Sequence, residues 1–244
     1  MRPSGRSYVL VSRAVLPLVL LLAAVPAALA SRTGGGVDDP CIGAGETAIQ
    51  MRASDGAFVY GVEIGTGTTG VVFGHQYGSD HCEFIEFARE LASRGYRALT
   101  IDFRGNGASF GGDGRRLDRD IAAAVTQLRS DGATRIKLAG ASMGGTAVLT
   151  AAARITPAVD GAVSLSAAAR YRGLDAVRAV GRSRAPVRFV AARRDVRFAN
   201  DARTLMRASK ARDKAILVVA GGRHGSSLLD VPWAKSHVQA FLAR

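Results

Sequence analysis

Two hydrophobic patterns alternate along the chain from residue 46 onwards. Short runs that are wholly apolar, or that alternate between apolar and polar residues, indicate β-strands, and stretches with an apolar residue every three or four positions indicate helices. The strand-like runs are 47–52, 57–64, 70–73, 96–102, 135–139, 159–165, 187–191 and 215–219. Helical patterns fall at 84–91, 117–128, 146–155, 174–180, 200–211 and 234–242. Helices separate most successive strands, which predicts one α/β domain over residues 46–244, with a mostly parallel sheet covered on both faces.

The first two strands are one exception to this alternation. They are separated by Ser54, Asp55 and Gly56, a short turn sequence with no room for a helix. Such turns join antiparallel strands. We therefore expect an antiparallel hairpin at the start of the sheet.

Residues 140–145, with the sequence Gly-Ala-Ser-Met-Gly-Gly, lie between a predicted strand and a predicted helix. A glycine-rich turn is the ordinary interpretation of so short a pattern. At a strand-to-helix turn, however, a sharp bend raises a serine hydroxyl above the edge of the sheet, and the first helical N–H groups point to the same place. The flanking glycines leave room for the bent backbone. The pattern therefore makes Ser142 the candidate nucleophile.

A serine nucleophile needs a base, and the base needs an acid that orients it. In a parallel sheet, reactive side chains collect beyond the carboxyl ends of the strands. Asp195 follows the strand 187–191, and His224 follows the strand 215–219 in a glycine-rich loop. These positions predict a catalytic triad of Ser142, Asp195 and His224.

Other acids and histidines fit these roles less well. Asp201 is the alternative acid, six residues further along and inside a predicted helix. His81 lies at a helix start and His237 inside the closing helix, so both are poorly placed to reach the serine. Asp102 also ends a strand, but its neighbour Arg104 favours an ion pair that braces the loop.

With these residues the chain resembles a known family, the α/β-hydrolase superfamily. The resemblance is carried by Gly140-Ala-Ser142-Met-Gly144, by the loop Asp102-Phe-Arg-Gly105-Asn-Gly107-Ala-Ser109, and by Asp195 and His224 in the family's order. The chain is most similar to small secreted esterases and to dienelactone-hydrolase-like and lysophospholipase-like members. The resemblance implies the α/β-hydrolase fold and a serine hydrolase that cleaves a carboxylic ester or thioester through an acyl-enzyme, without a cofactor.

The resemblance also bears on the cap and on the oxyanion hole. Caps in this family usually enter before the strand that carries the acid, where residues 167–186 leave only about twenty positions. A minimal cap, or none, and an open cleft are therefore implied. Met143 would supply one oxyanion N–H and Tyr77 the other. The family usually has a glycine where this chain has Gln76, so the N–H or side-chain amide of Gln76 is an alternative donor.

The first thirty residues resemble a secretory leader. Three arginines precede a run of 17 apolar residues that ends in Ala28-Leu29-Ala30, a sequence suited to signal-peptide cleavage. A cleaved signal peptide over residues 1–30 is favoured over an uncleaved membrane anchor, with a flexible segment at 31–45 and secretion as the destination. In an oxidising compartment Cys41 and Cys82 would form a disulfide, which we favour over two free thiols.

The charge of the chain is strongly basic, with 33 Lys and Arg against 20 Asp and Glu. The bases are mostly scattered arginines with few aromatic residues among them, which favours a solvated surface over a nucleic-acid partner. No metal site is expected, because no set of His and Cys has ligand spacing. The expected partner is a small or lipid-like ester, and no stable membrane span is expected after cleavage. A peptidase or amidase on the same fold and a non-catalytic binding protein are the alternative functions.

Overall fold

The computed structural model describes Met1, residues 31–32 and residues 39–244, so the predicted signal peptide lies outside the described residues apart from its first residue. The strands are β1 (Ser31–Arg32), β2 (Thr47–Arg52), β3 (Phe58–Ile64), β4 (Thr69–Gly74), β5 (Tyr96–Ile101), β6 (Arg135–Ala141), β7 (Gly161–Leu165), β8 (Arg170–Tyr171), β9 (Leu174–Asp175), β10 (Val187–Ala192) and β11 (Lys214–Val219). The helices are α1 (Ile85–Ala92), α2 (Leu117–Ser130), α3 (Met143–Ala152), α4 (Ala176–Val180), α5 (Val196–Ala208) and α6 (Pro232–Leu242). Two 3-10 turns, His81–Phe84 and Gly225–Asp230, precede α1 and α6.

A twisted sheet with the order β1-β2-β3-β5-β4-β6-β7-β10-β11 forms the centre of the domain. The strands from β5 to β11 in this order pair in parallel, whereas β1, β2 and β3 pair antiparallel. The two-residue strand β1 lies at the edge, so eight longer strands form the main sheet. This is the mostly parallel sheet, opening with a hairpin, that the sequence pattern predicts.

Apolar side chains fill a core on each face of the sheet. Residues of α2, α3, α4 and α5 pack in one core, and residues of α1 and α6 pack in the other. The stripes predicted for α1 and α2 are buried in these cores: Phe84, Phe87, Ala88 and Leu91, and Leu117, Ile121, Val125 and Leu128. Since each fully buried large apolar side chain contributes about 2–3 kcal/mol, these two faces supply most of the stabilisation that fixes the sheet.

Three predicted helix boundaries are wrong. The helix expected at 146–155 begins at Met143, directly after the candidate nucleophile, and all of its residues are buried, so it has no polar stripe to mark its start. The helix expected at 200–211 is α5, which begins four residues earlier, at Val196. The helix expected at 174–180 is shortened to α4, because Leu174–Asp175 pairs with Arg170–Tyr171 as a two-residue hairpin.

The parallel strands place four polar residues at one edge of the sheet. Ser142 follows β6, Ser166 follows β7, Asp195 lies just beyond β10 and His224 lies beyond β11. Since these four strands are neighbours that run in the same direction, their carboxyl ends form one rim. Between β7 and β10, a stretch that the structure describes in full, the chain holds only β8, β9 and α4, so this connection adds no large cap over the rim. No helix within the described ranges is long and apolar enough to cross a membrane.

A disulfide joins the N-terminal segment to the start of the first helical region. The sulfurs of Cys41 and Cys82 are bonded, with their Cα atoms 5.6 Å apart. Glu46 and Arg89 tie the same two regions together through an ion pair of 2.6 Å. Residues 39–45 are therefore held against the domain, at the end of the segment expected to be flexible.

We predict that replacing both cysteines by serine will lower the free energy of unfolding by about 4 kcal/mol, because the cross-link closes a loop of 41 residues in the unfolded chain. Urea unfolding of the oxidised wild type and of the Cys41→Ser/Cys82→Ser variant measures the difference. Wild type unfolded in the presence of a thiol reductant is the matched control and is expected to behave like the variant. Equal midpoints for oxidised and reduced wild type would contradict the prediction.

Candidate active site

The backbone at Ser142 is bent in the way the strand-to-helix turn requires. Its φ is 49° and its ψ is −110°, a left-handed conformation that a residue with a side chain rarely adopts. Its own N–H donates to the carbonyl of Leu165 at 2.8 Å, which ties the turn to β7. The residue is only partly buried, so its hydroxyl lies at the open rim.

The glycines around Ser142 are required by close backbone packing. A Cβ on Gly140 would clash with the carbonyl of Gly144 at the start of α3. A Cβ on Gly144 would clash with the carbonyl of Gly74 at the end of β4. The first contact packs the end of β6 against the first turn of α3, and the second packs that turn against the end of β4, next to the loop that follows it. The glycine pattern seen in the sequence therefore brings the N-terminus of α3 and the 75–77 loop together.

His224 and Asp195 form a direct hydrogen bond. Nδ1 of His224 lies 2.7 Å from Oδ2 of Asp195. Asp195 stands immediately before α5, yet its carboxylate makes no capping bond to that helix, because it is directed to the imidazole instead. The ring of Phe198 packs on the imidazole, with centroids 4.3 Å apart. The imidazole is therefore fixed from two sides.

Ser166 is a site residue that the sequence reasoning missed. It is fully buried, and its Oγ donates to Oδ2 of Asp195 at 3.0 Å. Its φ of 50° is again left-handed. It directly follows β7, so the rule that polar residues gather beyond the carboxyl ends of the strands applies to it as well. The second hydrogen bond holds Asp195 in the orientation that meets His224.

Asp201, the alternative acid, has a different partner. Its Oδ2 accepts a hydrogen bond from the N–H of Ala169 at 3.1 Å. It sits within α5, one and a half turns beyond Asp195, and fastens the loop after β7 to that helix. The acid that meets His224 is Asp195.

Of the two hydrogen bonds that link a Ser-His-Asp triad, the described residues form the one between His224 and Asp195. Because Nδ1 of His224 faces Asp195, Nε2 is the nitrogen left for the serine. Among the described residues, no hydrogen bond joins Oγ of Ser142 to this nitrogen. Such contacts are often long in hydrolases without substrate and shorten when substrate binds. The placement of both residues at one rim is consistent with a nucleophile and its base.

Two main-chain N–H groups next to the turn at Ser142 have no partner within the described residues. In the part of the chain that the structure describes, neither the N–H of Met143 nor that of Tyr77 has a hydrogen-bond acceptor. Met143 is the first residue of α3, so its N–H lies at the positive end of the helix dipole. Tyr77 lies in the loop that Gly144 brings against α3. They are the two N–H groups that the family resemblance implies as oxyanion donors, and that role stays a prediction.

The N–H of Gln76 is already used, which argues against it as an oxyanion donor. It donates to Oε2 of Glu83 at 2.6 Å. Burial raises the pKa of Glu83. The side-chain oxygen of Gln76 is buried against Gly225, where a Cβ would clash with it. Glu83 thus fixes the loop that precedes Tyr77, a role that the sequence reasoning did not assign to it.

His75 fastens the other side of the same loop. Its Nε2 accepts the N–H of Phe103 at 3.0 Å, and Nδ1 lies 2.7 Å from the carbonyl of Gln76. The ring therefore carries its proton on Nδ1. Burial lowers the pKa of His75, which keeps the ring neutral. The imidazole is a structural tie between the candidate oxyanion loop and the loop after β5.

The predicted ion pair between Asp102 and Arg104 is wrong. Asp102 accepts from the N–H of His81 at 2.8 Å and from its Nδ1 at 3.0 Å, and also from the N–H of Ala108 at 2.8 Å. Arg104 instead binds Asp120 at 2.6 Å and Asp55 at 2.7 Å. The loop 102–109 is therefore braced by two separate buried pairs.

His81 lies between two carboxylates. Its Nδ1 faces Asp102 and its Nε2 lies 3.0 Å from Oδ2 of Asp39. Burial alone would lower the pKa of His81, but the hydrogen bond and charge of Asp102, together with the charge of Asp39, outweigh it and raise the pKa above its usual range. The same pairing holds the pKa of Asp102 below its ordinary value despite its burial.

This pairing predicts a pH dependence of stability. A histidine whose pKa is raised by folding stabilises the native state fully below the unfolded pKa of about 6.5, and the contribution is lost as the pH rises through the higher folded pKa. We expect the free energy of unfolding to fall as the pH rises above about 6.5. Urea titrations across that range measure it. His81→Asn should remove this component, whereas His237→Asn should retain it. An identical slope in wild type and His81→Asn would contradict the assignment.

One cluster of potential metal ligands occurs among the described residues. Asp39, Cys41, His81 and Cys82 have ligand atoms within 4.8 Å of one another. The two sulfurs are bonded to each other, and both nitrogens of His81 face carboxylates. The residues present therefore form a disulfide and ion pairs, and do not have the thiolates that a structural zinc site needs.

Known proteins share the fold of this chain. Residues 68–179 match the family model of the serine aminopeptidase S33 hydrolases. The esterase Pf2001 of Pyrococcus furiosus is 19% identical, with a TM-score of 0.73 over 88% of this chain and 98% of that chain. The monoacylglycerol lipase of Paleococcus ferrophilus is 18% identical, with a TM-score of 0.63 over 76% and 98%. The esterase RhEst1 of Rhodococcus sp. ECU1013 is 19% identical, with a TM-score of 0.64 over 80% and 98%. Among curated proteins, none matches the sequence.

The sheet order, the bent serine turn and the His224–Asp195 pair define the α/β-hydrolase fold with a candidate serine site at its rim. The structural matches span nearly the whole of each compared protein. The chain has the α/β-hydrolase fold, and its residues 68–179 are similar to the serine aminopeptidase S33 hydrolases.

Proposed function

We propose that the protein is a secreted serine hydrolase that cleaves a carboxylic ester or thioester through Ser142, His224 and Asp195. The observation that supports this most directly is the 2.7 Å bond between His224 and Asp195, on the same rim as the left-handed turn of Ser142. The names of the structural neighbours, which are esterases and a lipase, point to the same class of reaction.

In this proposal each residue has a defined role. Asp195 accepts the Nδ1 proton of His224 in a hydrogen bond, so Nε2 is free to take the proton of Ser142 as its oxygen attacks the acyl carbon. The N–H groups of Met143 and Tyr77 stabilise the negative charge on the carbonyl oxygen. His224 then protonates the leaving alcohol or thiol. Water, deprotonated by His224, releases the acyl group and restores the serine.

The open rim fits accessible substrates. Only the β8–β9 hairpin and α4 stand between β7 and β10, so the structure has no large lid to enclose a substrate. Small esters, or esters presented at a surface, are therefore the proposed substrates, and the reaction needs no cofactor. Secretion belongs to the proposal as well and is supported by the leader-like sequence of residues 1–30 and by the disulfide.

Labelling by a fluorophosphonate probe tests the proposed nucleophile. The probe reacts with serines that an adjacent base activates, so wild type should be labelled at Ser142, as identified by mass spectrometry of the labelled peptide. Ser142→Ala should lose the label, and Ser93→Ala, which removes an exposed hydroxyl far from the rim, should keep it. A folded wild-type protein that takes up no label would overturn the proposal and favour a non-catalytic binding protein.

A peptidase or amidase is the second candidate, because the family model that matches residues 68–179 describes serine aminopeptidases. The same triad and oxyanion donors can attack an amide. p-Nitrophenyl esters and p-nitroanilides with the same acyl group separate the two activities. Faster turnover of the anilide, corrected for the intrinsic reactivity of each substrate, would favour the peptidase.

A further inference from the structure

The positive charge of the chain is concentrated in one segment. Residues 166–214 contain fourteen Lys and Arg against four Asp and Glu. The rest of the chain from residue 31 contains sixteen of each, so this segment accounts for the whole net charge beyond the leader. This distribution differs from the even spread of charge expected from scattered arginines. The segment runs from the end of β7 to the start of β11 and borders the candidate active site.

One arginine of this segment stands beside the candidate oxyanion loop. The guanidinium carbon of Arg172 lies 5.6 Å from the ring centroids of both Tyr77 and Tyr171. It is exposed, and no carboxylate pairs with it among the described residues. Its partners are aromatic faces, which leave the edge of the guanidinium free to bind an anion.

The backbone at Arg172 is unfavourable for an arginine. Arg172 and Gly173 form the two-residue turn of the β8–β9 hairpin, with φ of 41° and 87°. Turns with two left-handed residues favour Asn or Gly at the first position, because a longer side chain is strained there. Residues that break such a local rule tend to cluster at functional sites. The hairpin therefore carries a charged side chain at a cost in local stability.

Two further arginines border the His224 side of the site. Arg197 lies 5.3 Å from the ring of Phe198, which itself packs on His224. Arg194 is held beside the His224 loop by its N–H, which donates to the carbonyl of Gly221 at 2.8 Å. Both side chains are exposed, and within the described ranges neither has an acidic partner.

The acids of the same rim are already engaged. Asp195 binds His224 and Ser166, and Asp201 binds the N–H of Ala169. The exposed acids nearby are also paired, Asp175 with Arg170 at 3.1 Å and Asp230 with Arg223 at 2.7 Å. None of these acids pairs with Arg172, Arg194 or Arg197, so within the part of the chain that the structure describes the three guanidinium groups stand without a carboxylate partner on the Tyr77 and His224 sides of the site.

Building on the proposed function, we propose that the ester substrate carries an anionic group that Arg172, Arg194 and Arg197 bind at the mouth of the site. We call these three residues the rim arginines. An acyl chain attached to Ser142 would extend from the rim between them, so an anion at its far end would meet a guanidinium. The positive field would also speed the encounter with an anionic ester and weaken as salt is added.

A matched pair of esters tests this inference. 4-Nitrophenyl hexanoate and the mono-4-nitrophenyl ester of adipic acid have acyl chains of equal length, and only the second carries a carboxylate. After correction for spontaneous hydrolysis, we expect wild type at low ionic strength to have a roughly tenfold higher kcat/KM for the adipate ester, since each exposed charge pair contributes up to a few-fold. The advantage should shrink as sodium chloride is raised to about 0.5 M.

The rim variant Arg172→Asn/Arg194→Gln/Arg197→Gln should lose the preference and keep wild-type kcat/KM on the hexanoate. Its matched control is Arg182→Gln/Arg207→Gln/Arg212→Gln. This control removes three exposed arginines of the same segment, away from the carboxyl ends of the strands, and should retain the preference. Arg172→Asn alone should unfold at the same or a higher urea concentration while its KM for the adipate ester rises. A purely structural arginine would show no change in KM.

The outcomes separate this inference from the proposed function. Turnover of neither ester would mean that the hydrolase proposal has failed. Equal turnover of both esters, or equal loss of preference in the rim and control variants, would overturn the anionic substrate alone. The rim variant could instead lose activity only on the neutral ester presented in phosphatidylglycerol vesicles, and not in phosphatidylcholine vesicles. That result would overturn the anionic substrate in favour of binding to an anionic membrane surface.

Discussion

Ser142→Ala is expected to lower kcat for ester hydrolysis by about 10⁵–10⁶-fold, the largest effect of any single change in this chain. In the proposed mechanism the oxygen of Ser142 attacks the acyl carbon, and no other described side chain at the rim has that role. Any residual rate would come from the N–H groups of Met143 and Tyr77, which remain in place. Initial rates on a p-nitrophenyl ester measure the loss, with active-site titration of the wild type setting the scale.

Because the backbone at Ser142 is strained, a glycine there should affect turnover and stability in opposite directions. Its φ of 49° is costly for a residue with a Cβ and easy for glycine. Ser142→Gly should therefore abolish turnover as Ser142→Ala does, while raising the free energy of unfolding by about 1 kcal/mol. A serine kept only for folding would behave differently, since its removal would leave turnover intact. Ser93→Ala is the control and should change neither quantity.

The fold was predictable because its signal is local. The wholly apolar run at 70–73 and the alternating run at 135–139 are strands with neighbours on both sides, and the helices between them favour a parallel arrangement. Once the sheet is parallel, the residues after its strands must share a rim. The positions of Ser142, Asp195 and His224 at one edge follow from this topology, without knowledge of any side-chain contact.

Side-chain partners were much harder to predict. His81 and Asp102 are 21 residues apart, and nothing in their local sequence indicates that they pair. Arg104, two residues from Asp102, was predicted as its partner only because it is close in sequence. Glu83 binds the N–H of Gln76 because a 3-10 turn folds back over the loop after β4, which no periodicity encodes. Such contacts depend on the packed structure, so a sequence pattern gives the elements and the rim but not the hydrogen bonds.

The predicted starts of α3 and α5, the two helices next to the site, were wrong for a related reason. α3 is buried along its whole length, so no polar face marks where it begins. α5 begins after Asp195, whose carboxylate faces His224 and makes no capping bond to the helix. The usual start signal, an acid that caps its own helix, is therefore absent where the acid has a functional partner.

Asp195→Asn is expected to lower kcat by about 10⁴-fold with little change in stability, because a neutral amide carries no negative charge to stabilise the imidazolium. The 2.7 Å bond fixes the tautomer that leaves Nε2 free for Ser142, and an asparagine that donates to Nδ1 would favour the unproductive one. Rates measured from pH 6 to 9 on a p-nitrophenyl ester, together with urea unfolding, test this.

Asp201→Asn is the matched control, because it makes the same chemical change six residues along the same segment. Its partner is the N–H of Ala169, and an asparagine oxygen can still accept that bond, so its kcat should stay within a few-fold of wild type. Ser166→Ala should fall between the two variants, since it removes one of the two bonds that orient Asp195. The reverse order, with Asp201→Asn the more damaging change, would mean that the acid of the triad has been misassigned and that the His224–Asp195 contact is only structural.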